Sequence, residues 1–237
     1  MKKNRYIKLA AAASAVLLAT SAHATLKTDK VTLKGNMVVE YNKLPAPVDT
    51  LKDAFSEGMF YGRLRANAFM WDWNEEVGKQ QDNKANGYGG SLIYKSAPLH
   101  GVSGTVGLYT SQNSHWWRED VADVGSVKSG KDTFSRRDTS LTGNYGMTVV
   151  GQAFLQYDIA KTSVVAGRQM FESVFTASND TKMVPNTFDG ITATIKDVPD
   201  TTIQLAYMAK QKLRDHTVSH DVIAFDSADS WKENDDA

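Results

Sequence analysis

The chain has 237 residues, with 27 Lys and Arg against 27 Asp and Glu, no Cys and 41% hydrophobic residues. The missing cysteine excludes a disulfide scaffold, a catalytic thiol and thiolate metal sites, and balanced charge with no basic run beyond the N-terminus excludes an ordinary nucleic-acid-binding surface. Mean hydropathy is negative, and past the N-terminus no apolar run reaches the roughly 18 residues of a membrane helix. On composition alone the chain reads as water-soluble.

The first 24 residues read as an export signal. Lys2, Lys3, Arg5 and Lys8 form a basic start, Leu9 to Leu18 an apolar segment too short to span a bilayer, and Ala22-His23-Ala24 a small-x-small cleavage site. Cleavage after Ala24 removes four basic and no acidic residues and leaves 23 basic against 27 acidic, a net charge of −4. Residues 25–57 read as a periplasmic N-terminal segment. It is polar, with Pro45-Ala46-Pro47 as a stiff connector and a short helix from Leu51, capped by Thr50 with Asp53 and stopped at Gly58.

Over residues 58–237 the hydrophobic period is two. Phe60, Leu64, Ala66, Ala68 and Met70 share one face, and Arg63, Arg65 and Asn67 the other. Val102, Val106 and Leu108 alternate with Ser103, Thr105, Tyr109 and Ser111, and Met147, Val149, Ala153, Leu155 and Tyr157 with Thr148, Gln152 and Gln156. Ile191, Ala193 and Ile195 alternate with Thr192, Thr194 and Lys196, and Ile203, Leu205, Tyr207 and Ala209 with Thr202, Gln204 and Lys210. Two weaker runs, 88–95 and 162–170, the second of ambiguous phase, bring the total to about seven strands near the ~10-residue length of transmembrane β-strands.

Short connections at 97–101, 158–161 and 197–200 alternate with long ones at 71–87, 112–146 and 171–190, and another long one begins at Gln211. This is the layout of an up-and-down antiparallel sheet with one plain and one elaborated end, as in outer-membrane β-barrels. Such a wall needs only every second residue apolar, because closure satisfies the backbone hydrogen bonds, and that accounts for the soluble-looking hydropathy. Tyr61, Phe69, Trp71, Trp73, Tyr88, Tyr94, Tyr109, Phe154, Tyr157 and Tyr207 fall towards strand ends, where aromatic girdles sit. The same periodicity allows an alternative: an exported periplasmic β-sandwich binding module whose aromatics fill a core.

Several stretches resemble the OprD-type outer-membrane porins, particularly the branch found in campylobacter-like bacteria. They are Tyr61-Gly-Arg-Leu-Arg-Ala-Asn-Ala-Phe69, Gly90-Ser-Leu-Ile-Tyr-Lys95, Gly107-Leu-Tyr-Thr-Ser-Gln112, Gly130-Lys-Asp-Thr-Phe-Ser-Arg136 and Gly167-Arg-Gln-Met-Phe-Glu172. The most specific is Ser178-Asn-Asp-Thr-Lys-Met-Val-Pro-Asn-Thr-Phe-Asp-Gly190. The resemblance implies that 171–190 is a loop folded into the barrel to narrow the channel, and that a row of basic side chains lines one wall. By alternation Arg63, Arg65, Lys95, Lys196 and Lys210 fall on the polar face, and Arg168 and Glu172 flank the start of the loop. Asn179, Asp180 and Lys182 are the loop groups expected to meet solute, while Pro185, Phe188 and Gly190 shape the loop. Charges lining a narrow water-filled pore bias its ion selectivity.

The expected fold is therefore all-β: an antiparallel up-and-down transmembrane barrel, of which the chain supplies about seven strands. Closure needs at least about eight strands, and an aqueous porin channel roughly 16–18, so the resemblance implies the N-terminal half of a larger porin. The partners implied are outer-membrane lipid, the barrel-assembly machinery and small hydrophilic solutes or ions diffusing passively, with self-association left open and no nucleic acid. No cofactor is expected. His216 and His220 have a spacing that can ligate zinc on a helix, but they lack the intervening Glu and fall in a predicted loop. Asp72, Glu75 and Glu76 read as a solvated loop, and no nucleophile elbow occurs, so no enzyme activity is expected.

Overall fold

The computed structural model describes residues 31–78, 80–127, 132–174, 176–226 and 230–234; the expected export signal lies outside them. In chain order the elements are β1 (Val31–Leu33), β2 (Val39–Tyr41), α1 (Leu51–Ser56), β3 (Met59–Trp71), β4 (Asn83–Lys95), β5 (Val102–Gln112), α2 (Arg136–Thr142), β6 (Met147–Ile159), β7 (Thr162–Gln169), β8 (Thr187–Ile195), β9 (Ile203–Lys212), β10 (Val222–Asp226) and β11 (Ser230–Asn234). Strands β3 to β9 form one seven-stranded sheet in sequence order, every pair antiparallel. β3 and β9 are its edges, so the described sheet is not closed. Among the described residues no helix is long and apolar enough to cross a membrane; that does not bear on crossing by strands.

The expected alternation of connections is present. Leu99 and Val102 exchange backbone hydrogen bonds of 2.8 and 2.9 Å around His100 and Gly101, both at positive φ, which is the turn whose twist suits a tight hairpin. At the other end the loops 72–82, 113–146 and 170–186 are long, and the second carries α2, which the sequence pattern does not announce. Helix α1 is capped as expected, Thr50 Oγ1 accepting from the Asp53 amide at 3.1 Å. Its end is at Glu57, however, and Gly58 is not left-handed. Gly58 is there because the Tyr94 ring lies where a Cβ would stand.

The two faces are inverted relative to a soluble sheet. On β3, Phe60, Leu64 and Met70 are exposed, Leu64 by 67%, whereas Arg63 and Arg65 are only 2% and 4% exposed. Leu92, Val106, Leu108, Leu155, Ile191, Leu205 and Tyr207 continue the exposed apolar face, and Ser91, Ser103, Thr105, Gln152 and Thr192 the buried one. In a β-sandwich the apolar face would be covered by a second sheet. Besides this sheet the described residues hold only the hairpins β1–β2 and β10–β11.

Two irregularities correct the phases read from the sequence. Gly107 faces Gln152 and Leu108 faces Val150, so Gly151 is an unpaired extra residue. A bulge of this kind flips all that precedes it. Met147 and Val149 therefore turn inward and are buried, while Ala153, Leu155 and Tyr157 face outward. Likewise Asp189 faces Lys210 and Gly190 faces Met208, leaving Ala209 unpaired. The flip puts Lys210 beside Asp189 on the outer face, not on the polar inner face to which strict alternation assigns it. The expected girdle is corrected too: Tyr61, Phe69 and Tyr109 are buried on the inner face, whereas Tyr88, Tyr157 and Tyr207 are exposed.

The Gly151 bulge is the packing pivot of the sheet. A Cβ there would stand 2.6 Å from the Tyr109 ring and 3.3 Å from Pro185. Gly151→Val is expected to destabilise the protein by about 1–3 kcal/mol through overpacking, measured by denaturant unfolding in detergent. Gly62→Ala, whose Cβ would meet nothing closer than 4.0 Å, is expected to stay within about 0.5 kcal/mol.

Candidate functional site

The inner face is filled by three segments from distant parts of the chain. Met183 and Val184, in the loop after β7, pack in one buried cluster with Tyr61 of β3, Ile93 of β4, Tyr109 of β5 and Met147 and Val149 of β6. The loop thus crosses from the β7–β8 side of the sheet to its β3 edge, which requires the sheet to curl around it. Val31, Leu33 and Val39 of the β1–β2 hairpin pack on the same cluster. At the long-loop end a second cluster joins Phe69 and Ala85 to Val124, Val127, Phe134 and Tyr145. The loop 113–146 thus caps that end.

At the centre stands Asp180. Its carboxylate accepts from Arg65 NH1 and NH2 at 2.7 and 2.6 Å, a bidentate pair, and also from Arg63 NH2. Arg63 NH1 donates to the Met37 carbonyl at 3.0 Å, and Arg65 NH1 to that of Lys182. The Asp180 amide donates to the Asn36 carbonyl at 2.9 Å, and Asn36 Nδ2 donates to Glu172 Oε1 at 2.7 Å. Arg65 also lies 5.7 Å from the Tyr109 ring centroid. Adjacent inward positions on β3 bring both guanidiniums to one carboxylate, because side chains two apart on a strand share a face. Two cations with one anion, all buried, make a cluster that loses much when a member is removed.

The other expected site residues are dispersed. Lys95 lies on the inner face, where Nζ donates to Gln156 Oε1 at 3.3 Å and sits 5.8 Å from the Tyr41 ring centroid. It borders a cavity of about 230 Å³ lined also by Tyr41, Thr105, Gln152, Phe154 and Gln169. Burial pushes the Tyr41 phenol up to about 12, with Tyr61 adding to the effect, so the ring is neutral in ordinary buffers. Asn179 is half-buried and accepts from Thr181 Oγ1 at 2.8 Å. Lys196 is exposed, one residue past the end of β8.

Arg168 settles the phase of β7. It pairs with Ala153 on the outer face, with Nε and NH2 on the two Asp189 oxygens at 2.6 and 2.9 Å and NH2 also on Ser219 Oγ at 2.7 Å. The loop itself ends sooner than expected: β8 begins at Thr187, so Phe188 and Gly190 are strand residues, while Pro185 is fully buried within the loop. Pattern reading misses Lys212. It is fully buried, its Nζ donating to the Pro185 carbonyl at 3.1 Å. Only its place at the end of an alternating strand hints at this.

Opposite loops meet at the long-loop end. Arg136 of α2 pairs with Asp215 at 3.6 Å, Arg214 with Asp132 at 3.2 Å, and Thr217 Oγ1 donates to Asp138 Oδ2 at 2.6 Å. His216 and His220 do come together, ring centroids 4.8 Å apart, but no cluster of three metal-ligating side chains occurs among the described residues.

No family model matches the sequence, and no curated protein matches it. Among solved structures the chain is similar to OccAB4 of Acinetobacter baumannii, with a TM-score of 0.56 and 17% identity over 72% of this chain and 43% of that one. It is similar to OccK9 (OpdG) of Pseudomonas aeruginosa, with a TM-score of 0.56 and 16% identity over 74% and 43%. OpdK of Pseudomonas aeruginosa, solved with vanillate, gives a TM-score of 0.48 and 14% identity over 72% and 40%. OccAB4 and OccK9 are OprD-family outer-membrane channels, and at these identities the likeness is one of fold. The chain spans less than half of their length.

Two outcomes follow from this geometry. Asp180→Ala leaves two buried guanidiniums without their shared carboxylate. It is expected to cost about 3–5 kcal/mol and to open 171–186 to protease, read by mapping the cleavage sites. Burial pushes the His216 imidazole down, His220, Lys212 and Arg137 reinforcing this and Asp215 opposing it. The fold therefore favours the neutral ring. The loop contacts are at full strength above the unfolded value of about 6.5 and weaken as pH falls through it towards the lower folded value. Cleavage within 213–221 should accelerate over that window, and His216→Gln should flatten the profile.

Proposed function

We propose that the chain forms wall and constriction of an outer-membrane channel for passive diffusion of small hydrophilic solutes and ions. The observation that carries this reading is the inversion of the sheet: an exposed apolar outer face beside an inner face of Arg, Lys, Ser, Thr and Gln. A wall of that kind is stable only with lipid outside and water or polar protein inside. The basic, apolar, small-residue order of the first 24 residues supports export, and the porin-like fold supports the outer membrane. Within this reading the loop 170–186 is the constriction, and assignment to the campylobacter-like branch rests on the sequence resemblance alone.

The basic row divides by role. Arg63 and Arg65 are consumed in holding Asp180, so they anchor the constriction and do not meet solute directly. Lys95, bordering the inner cavity, is the cation we assign to selectivity. Among the described residues no carboxylate forms an ion pair with its amine, so its field is available to passing ions. Lumen exposure of Asn179 and Lys182 belongs to the same proposal.

Planar-bilayer recordings of the purified protein test both parts. Discrete conductance steps are expected, with a reversal potential in a salt gradient showing anion preference, and Lys95→Gln should move that potential towards the cation side. A protein that never conducts would sink the channel reading. Conductance with a reversal potential indifferent to Lys95→Gln would remove only the role of Lys95.

A further inference from the structure

Residues 31–41 are expected to be periplasmic, yet the β1–β2 hairpin lies on the inner face, against the constriction loop. We infer that this hairpin is a tethered plug: a docked occupant of the channel interior whose release widens the pore. The inference rests on the channel reading above.

The hairpin is held at its tip and along one side. The tip, Lys34 to Val38, carries Met37 at φ 64°, and from it the Asn36 and Met37 carbonyls accept from the Asp180 amide and Arg63. The Asn36 side chain reaches Glu172. Along the side, Val31, Leu33 and Val39 rest on the buried cluster and Tyr41 lies beside Lys95. The hairpin therefore touches both the group that fixes the loop and the cation that borders the cavity, and Val38, Val39 and Tyr41 form part of that cavity's wall.

Its attachment is weak in kind. β1 and β2 pair only with each other, three residues each, and form no ladder with the sheet. A two-stranded piece of that size is not stable in water by itself, so its order is lent by the surface on which it lies. Its exit is a single stiff connector. Residues 42–50 contain Pro45 and Pro47, and the chain is next fixed at Val48, whose amide donates to the Pro98 carbonyl at 2.9 Å in the short turn at the opposite end of the sheet from the long loops. α1 and β3 begin beyond that point. The hairpin can leave without disturbing any strand of the sheet, whereas the loop it leaves keeps both arginines on Asp180.

The cysteine-free sequence permits a reversible tether. In Asn36→Cys/Glu172→Cys the two thiols replace side chains in hydrogen-bond contact, and a short bis-methanethiosulfonate bridge would pin the hairpin to the loop. In a planar bilayer the bridged full-length protein is expected to give small, steady steps. Reductant applied to the same channel should raise conductance severalfold, while each single-cysteine variant should not respond. Intramolecular bridging, read by mass, reports docking independently of conduction. Conductance unchanged on reduction of a bridged channel overturns the plug, and so does a bridge that does not form. Bridging in high yield with no conductance in any state, bridged or reduced, overturns the channel reading and takes the gating role with it.

Discussion

Asp180 is the contact on which the interior depends. One carboxylate receives two guanidiniums from β3, and its own peptide carries the bond to the N-terminal hairpin. Three parts of the chain, two of them more than a hundred residues from the loop that carries Asp180, are thereby brought to one point. Burying this much charge is not a strong source of net stability, since desolvation offsets most of the attraction. What it supplies is position. A loop of seventeen residues has many ways to lie across a curved sheet, and a bidentate fork accepts a carboxylate in only a narrow range of geometries. The apolar pair Met183 and Val184 then fills the surface beneath, which supplies the non-directional part of the binding.

The same arrangement changes what a basic row on an inner wall means. Counted from the sequence, the cations of such a row are equivalent. In the structure Arg63 and Arg65 are structural, Lys212 is a buried donor to the Pro185 carbonyl, Arg168 and Lys210 face outward with Asp189, and Lys95, itself buried and bonded to Gln156, alone of the inner-face group borders the described cavity. A cation paired with a carboxylate contributes little field to a passing ion, whereas one that borders open space without such a pair contributes more. Pairing and the space beside the head group separate these cations, and neither is visible in residue type.

How much was legible follows from which rules are local. The seven strands, their order of short and long connections and the faces of β3 and β5 come from a period of two that holds wherever one face is apolar. The resemblance supplied the loop that crosses the interior. The failures have one physical cause each. Gly151 and Ala209 each add one residue to a strand, and one residue reverses every side chain on one side of it; nothing in Val149-Val150-Gly151-Gln152 marks which residue is extra except a glycine that could equally be a strand residue. Tyr109 looked like an interfacial aromatic because position along a strand says nothing about depth beneath a loop. The β1–β2 hairpin is too short to carry a periodic signature, and its order comes from contacts with residues from 26 to more than a hundred positions away.

These misses share a location. All but the Ala209 bulge lie where a segment from elsewhere in the chain settles onto the inner face: Gly151 admits Tyr109 and Pro185, Met147 and Val149 turn inward to meet Met183 and Val184, and the hairpin lands beside them. The outer face, exposed and mostly apolar, obeys simple alternation except past the bulges. An apolar face imposes one demand on every second residue, and that demand is readable. An interior assembled from loops imposes a different demand at each position, so pattern reading degrades where the channel's proposed chemistry is concentrated.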